Sequence, residues 1–378
     1  MRHRGLAAAL LAPLSALILV AFVLPLSLLL WRAIDNAELA EALPATAPLI
    51  REWDGAGLPP VSVQRAFAAE LAAASGGDAF GRLTRRANFE LSGMRGLLLR
   101  TARAGAVPLA EVDPLWATPE PWLVLRQLSA PVSASYLLRA IDLSLAPDGR
   151  VVRAEDPVFL AILLRTMGIS ALVAALCVGL GWPLAFFIAR LPPARARLWL
   201  AMAMVPFWTS VLVRTAAWFV LLAREGPVNA ALLALGLTEA PVQLIFTRFA
   251  VVTAMVHMML PFAVLANHAA LSRSDPWLAR AAASLGAAPL RRIWSVHLPA
   301  SLPGVAAGFV TVFAVSAGFY VTPALVGGPS DQMMASAISF YVNQTVNFGM
   351  AAALALLLLA LVGVSLALLW RLVPRVAR

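Results

Sequence analysis

Arg280-Ala281-Ala282-Ala283-Ser284-Leu285-Gly286, followed after nine residues by Val296-His297-Leu298-Pro299, is the stretch from which the rest of the chain is read. It is a structured basic loop caught between apolar runs. Asp275 is placed to cap a helix, Pro276 suits the first helical position, and the alanine run favours propagation. Gly286 is placed to end that helix, and a side chain there is expected to block the turn. Pro289 then opens a second helix. In it Leu290, Ile293, Trp294, Val296 and Leu298 supply apolar contacts, and Arg291 and Arg292 remain available to water or a partner. Pro299 and Pro303 return the chain to the membrane. The pattern predicts a helix-turn-helix elbow at the bilayer surface.

Around the elbow, 61% of the 378 residues are hydrophobic, and they fall in long runs, which makes this an integral membrane protein. The net charge of +10 comes from arginines that, outside the polar insert, cluster in short loops beside apolar spans. Such placement reflects topology rather than a phosphate-binding face, so nucleic acid is not an expected partner. No lysine occurs, and a Walker A loop needs one on the nucleotide phosphates, so the chain is not a P-loop ATPase and is not expected to be an enzyme. The single cysteine, Cys177, lies in an apolar span, which excludes an internal disulfide and offers no metal cluster.

The expected fold is all-α, with six transmembrane helices, a cytoplasmic coupling helix-turn-helix and an inserted extracytoplasmic domain after the first span. Residues 1–32 hold the first span, from about Leu6 to Trp31 behind Met1-Arg2-His3-Arg4. Its length exceeds the apolar region of a cleavable signal, so it is expected to stay as an anchor. Residues 33–158 read as a periplasmic, α-rich insert: 15 of the 19 acidic residues lie there, with amphipathic stretches over 67–74 and 122–145. Residues 159–378 form a five-helix core, with spans near 161–189, 198–222, 249–270, 303–324 and 348–370 and the coupling loop at 272–302. Pro183, Pro206 and Pro261 are expected to kink their helices.

Orientation follows from the arginines. Arg2 and Arg4, the loop with Arg190, Arg195 and Arg197, the elbow with Arg273, Arg280, Arg291 and Arg292, and the tail with Arg371, Arg375 and Arg378 all fall on one side, the cytoplasmic one. Both termini are therefore expected inside a bacterial inner membrane and the insert outside.

Three functions compete: a permease driven by partner ATPases, which a family resemblance implies, an ion-coupled carrier, and a membrane-tethered sensor or assembly factor. The spans hold essentially no Asp or Glu, which disfavours ion coupling. His257 stands without a carboxylate partner and reads as a packed or pore-facing polar group. Arg214 lies well inside the third span, where it either lines a pathway or snorkels outward. The segment Ala317–Gln332 combines Phe319-Tyr320 at a helix end, Thr322, a glycine-rich turn and Asp331; it reads as a gate, or as an aromatic anchor followed by a loop.

The elbow resembles the EAA loop of the membrane subunits of binding-protein-dependent ABC importers, whose pattern is Glu-Ala-Ala, three residues, Gly, nine residues, then Ile-x-Leu-Pro. Every interval fits. Arg280 stands where Glu is usual, and Val296 replaces Ile. Phe207-Trp208-Thr209-Ser210 with Arg214-Thr215, and the segment around Tyr320, resemble spermidine/putrescine-type permeases over residues 160–345. The resemblance implies two cytoplasmic ABC ATPase subunits, a second permease subunit that is a paralogue, a periplasmic binding protein, and a small solute, polyamine first. An amino-acid derivative or organic anion is the alternative. It implies that ATP and Mg sit on the ATPases and no cofactor or metal on this chain. It also implies coupling residues Trp277, Arg280, Ala281, Ala282, Gly286, Arg291, Trp294, Leu298 and Pro299, and pathway or gate residues Trp208, Arg214, Phe319, Tyr320, Thr322 and Asp331. Leu285 and Ile293 join the tryptophans as apolar anchors. The insert lies outside the resemblance.

Overall fold

The computed structural model describes residues 11–105, 108–146 and 149–372; Leu6, Arg2, Arg4, Arg375 and Arg378, which enter the expected first span and the charge asymmetry, lie outside the described residues. Five helices are long and apolar enough to cross a membrane, at Leu11–Ile34, Phe159–Ile188, Arg248–Arg273, Pro289–Ala317 and Phe348–Leu369, with a bent pair of helices as a sixth candidate. The chain divides into two units.

The first unit holds the initial span, residues 33–159 and residues 341–354. Between Glu38 and Ala140 it is a set of short helices around one core, in which Phe67 packs its ring edge-on against Trp116 and Trp122, each at 5.2 Å. Both indoles are buried yet bonded: Trp116 Nε1 donates to Thr101 Oγ1 (2.8 Å) and Trp122 Nε1 to the Trp116 carbonyl (3.2 Å). Aromatic bodies thus fill the core without orphaning a donor. The amphipathic stretch read over 122–145 is divided among the helices Glu120–Leu128 and Ser135–Ala140 and the strand Leu143–Leu145. That strand pairs antiparallel with Val151–Arg153, a small departure from an all-helical fold. Asp142, at φ 59°, accepts from the Val158 and Phe159 N–H groups and so caps the second span.

The second unit contains most of residues 160–378, with the fourth span, Arg248–Arg273, at its centre. Over half of that span's apolar stretch is buried, against none of the first span's. Small residues permit the close packing. A Cβ on Gly304 of the fifth span would lie 2.5 Å from Ala270 Cβ and 2.7 Å from the Ala266 carbonyl oxygen, and one on Gly181 of the second would lie 3.3 Å from Ala263 Cβ. Trp182 Nε1 donates to Ser301 Oγ at 2.7 Å, tying the second span to the fifth.

Three expectations about the spans need correction. The span read as continuous over 198–222 is two helices, Pro193–Trp208 and one beginning at Val211, bent by 88°. Thr209 and Ser210 are extended, and Thr209 Oγ1 donates to the carbonyl of Pro206, so the helix end that the proline weakens is closed by a side chain. The fifth span stops at Ala317, not 324; Gly318–Tyr320 breaks it before a short helix, Val321–Val326. Finally, the second arm of the elbow is no separate helix. The chain is helical from Pro289 to Ala317, and a π turn over Ile293–His297 carries it past Pro299. Proline lacks the N–H that would bond the carbonyl four residues back; shifting the register by one, so that Leu298 N–H bonds Ile293 O, continues the helix. The same device, Leu24 N–H to Leu19 O, precedes Pro25 in the first span.

Candidate functional site

The elbow is built from local capping chemistry. The Asp275 carboxylate accepts the Trp277 N–H (2.9 Å) and starts the helix Pro276–Ser284. At its end Gly286 N–H bonds Ala283 O and Ala287 N–H bonds Ala282 O, both at 3.0 Å, with Gly286 at φ +82°, a Schellman closure. Pro289 then begins the fifth span.

No residue between Pro276 and His297 is buried. Trp277 is 69% exposed, Leu285 87% and Trp294 65%, and Leu278 and Leu290 are exposed beside them. The elbow thus leaves several large apolar side chains open. The Arg280 guanidinium lies over the Trp277 ring at 4.9 Å. Arg291 is exposed; Ala281 is exposed and Ala282 half-buried in the elbow helix; Leu298 and Pro299 lie beyond the π turn in the fifth span. Ile293 is half-buried.

Behind the elbow helix is an open cleft of about 410 Å³, lined by Ala279, Arg280 and Ala283 of that helix, by Phe186 and Arg190 from the end of the second span, and by Arg292 and His297. Arg190 stacks on Phe186 (3.5 Å to the ring centre) and contacts His297 Nε2 at 3.1 Å. Burial and the neighbouring Arg292 charge push the Arg190 guanidinium below its usual value.

The pathway candidates divide. Trp208, at the 88° break, is 81% exposed. Arg214 is not deep inside a helix: its N–H bonds Ser210 O in the first turn after the break. Its Nε has no hydrogen-bond partner. In the fourth span His257 Nδ1 accepts from Trp218 Nε1 at 3.3 Å. Tyr320 is exposed and Phe319 half-buried. Thr322 and Asp331, by contrast, are buried and bonded within the fold. Thr322 Oγ1 lies 3.1 Å from Thr215 Oγ1, and Asp331 Oδ1 accepts from Arg248 Nε at 3.1 Å. The glycine-rich turn beside them is packed tight, since a Cβ on Gly327 would meet the Pro323 carbonyl at 2.6 Å and one on Gly328 the Phe246 carbonyl at 2.7 Å. The Trp218–His257 contact joins residues 39 positions apart, and the sequence named His257 without showing its partner.

Among the described residues no three His, Cys, Asp or Glu side chains are grouped as a metal would need. In the first unit an open cavity of about 550 Å³ is walled by Glu38, Arg85, Arg95 and Tyr136 with the 344–349 segment. Nothing in the sequence pattern pointed to it, because its walls come from distant segments.

Residues 159–378 match the family described as the binding-protein-dependent transport system inner membrane component; residues 33–158 lie outside the match. The spermidine/putrescine transport system permease protein PotB of Escherichia coli (strain K12) is 30% identical over 219 residues, covering 58% of this chain and 80% of that protein. The inner membrane ABC transporter permease protein YdcU of the same strain is 31% identical over 234 residues, covering 57% and 73%. A solved bacterial ABC transporter involved in the import of the acidic polysaccharide alginate aligns with a TM-score of 0.48 at 16% identity, covering 59% of this chain and 82% of that one.

Proposed function

The chain belongs to the family of binding-protein-dependent transport system inner membrane components, as a multi-pass permease component of an ABC importer. From that premise we propose that the elbow is the lever through which cytoplasmic ATPase subunits open and close the pathway. The exposed apolar ridge of Trp277, Leu278, Leu285, Leu290 and Trp294 carries this reading. Trp277 and Leu278 lie on the elbow helix, Leu285 at its end and Leu290 and Trp294 on the second arm, an exposed apolar set that suits a groove of a partner, where aromatic anchors dominate the binding energy. When two ATPases close on ATP, the elbow moves with them. Because its second arm is continuous with the fifth span, the displacement is passed along an unbroken helix from Pro289 to Ala317. A second permease subunit completes the pathway, and a periplasmic binding protein delivers the solute. The chain itself supplies no chemistry; ATP and Mg sit on the partners.

An ion-coupled carrier fits less well. Outside the insert the carboxylates are Glu225, Glu239, Asp275 and Asp331. Asp275 is engaged in a cap and Asp331 in an ion pair, and Glu225 and Glu239 lie in exposed turns. No carboxylate is left in the helical spans to bind a driving ion. ATP-dependent, vanadate-sensitive uptake in proteoliposomes holding the permease pair, its ATPases and its binding protein tests the proposal. Uptake that instead follows an imposed proton or sodium gradient without ATP would overturn it.

For the solute, the names of the relatives put spermidine and putrescine first. The second reading, an amino-acid derivative or organic anion, is favoured by Arg214 and His257, basic groups carried on the membrane helices where a polycation would want carboxylates. Titrating the cognate binding protein with spermidine, amino acids and dicarboxylates separates the two.

A further inference from the structure

The cleft behind the elbow holds more positive charge than its own fold answers. Arg190, Arg280 and Arg292 line it from three different elements, with His297 beside them. One carboxylate, Asp275, is also on its wall, and that group is engaged in capping the elbow helix. Arg292 Nε is buried and has no hydrogen-bond partner. Arg292 is otherwise only half-buried; leaving a buried donor without an acceptor is costly, and a planar bidentate acceptor is what a guanidinium fork fits. Arg280 connects the cleft to the docking ridge: it lines the cleft and its guanidinium covers the exposed Trp277 ring.

We propose that the cleft receives a carboxylate side chain of the ATPase partner, a Glu or Asp that enters between Arg280 and Arg292 as the ridge seats in its groove. This rests on reading the elbow as the docking lever. A carboxylate bound there joins the second span, the elbow helix and the start of the fifth span through one ion-paired group, so the partner grips the root of the lever as well as its tip. It also makes the pairing selective, because an ATPase offering a cation at this point is repelled.

The test uses the assembled transporter. Retention of the ATPase subunits on immobilised permease is measured against ionic strength, alongside ATP-driven uptake, for Arg280→Glu, Arg292→Gln and Trp277→Ala. The expected result is that Arg280→Glu and Arg292→Gln each weaken retention about tenfold at moderate salt, and that one Asp or Glu to Arg change in the ATPase groove restores Arg280→Glu. Should Arg292→Gln fail to fold, as judged by thermal unfolding in detergent, Arg280→Gln at the exposed surface takes its place. Wild-type retention in the arginine variants with loss in Trp277→Ala would overturn the carboxylate site and leave the lever standing. Loss in Arg280→Glu confined to vesicles containing phosphatidylglycerol, and absent in phosphatidylcholine alone, would assign the cleft to a lipid headgroup and overturn the proposal as well.

Discussion

At residue scale the turn of the elbow shows where sequence reading succeeds. Asp275, Pro276 and Gly286 all do what their positions implied, because caps and stops depend on a few neighbouring bonds. The reason given for Gly286 needs correction. A Cβ there would meet nothing within 4 Å, so the space is open and the constraint is its φ of +82°. A β-branched residue pays about 1–2 kcal/mol in that region, whereas Asn visits it readily. Gly286→Asn is therefore expected to keep uptake per ATP hydrolysed near wild type in proteoliposomes, and Gly286→Val to reduce it several-fold; equal values would show that the turn does not limit coupling. Two carboxyls in the insert give a pH test of opposite signs. Burial holds Glu38 above the usual carboxylate range, opposed by Arg86. Its ionised form is disfavoured in the folded state, so the associated stability is present below the unfolded value and is lost as pH rises through the folded one. Asp113 is held low by the Leu115 N–H and by Arg100, and its contribution is present above the unfolded value and lost as pH falls through the folded one. Glu38→Gln should raise the melting temperature at pH 7 and not at about pH 4, near the ordinary glutamate value. Asp113→Asn should lower it at pH 7 and lose its effect in acid. What the sequence could not show at this scale is the Trp218–His257 contact, which depends on packing between helices distant in the chain.

At the scale of elements, apolar runs located the membrane helices to within a few residues where the helices are regular, and missed where backbone bonding departs from the α register. Pro206 and Pro299 illustrate this. One precedes a break and the other is absorbed by a π turn, and the residue itself is the same. After Pro206 the chain leaves the helix at Thr209, whose Oγ1 bonds the Pro206 carbonyl, while before Pro299 the register shift at Leu298 lets the helix continue. Helix packing was likewise invisible in composition. Gly304 and Gly308 both lie on the fifth span facing the fourth, yet they differ. A Cβ on Gly304 would overlap Ala270 and Ala266, whereas one on Gly308 would lie 3.4 Å from Ala263 Cα, close to ordinary contact. Gly304→Ala should force the helices apart at a cost of about 1–3 kcal/mol, read as a drop in detergent melting temperature and weaker ATP-driven uptake. Gly308→Ala should leave both nearly unchanged. Equal effects of the two substitutions would refute close approach at Gly304.

At the scale of the whole molecule, function turns on which compartment each unit faces. Among the described residues, Arg190, Arg195, Arg197, Arg273, Arg280, Arg291, Arg292 and Arg371 cluster at one set of helix ends, and the insert carries most of the acidic groups. Arginine bias sets topology because translocating positive charge is disfavoured, and acidic residues contribute little. This bias supports our proposal that the elbow lies in the cytoplasm, within reach of ATPases, and residues 33–158 in the periplasm. The native Cys177 is buried in the second span, so a Cys177→Ser background gives a clean start for accessibility labelling. Ser75 in the insert and Ser284 at the end of the elbow helix are both exposed. A membrane-impermeant maleimide should label Ser75→Cys in intact cells and Ser284→Cys only after the inner membrane is opened. Labelling of Ser284→Cys from outside would place the ridge, the cleft and its arginines beyond reach of any ATPase, and the lever and the carboxylate grip would fail together.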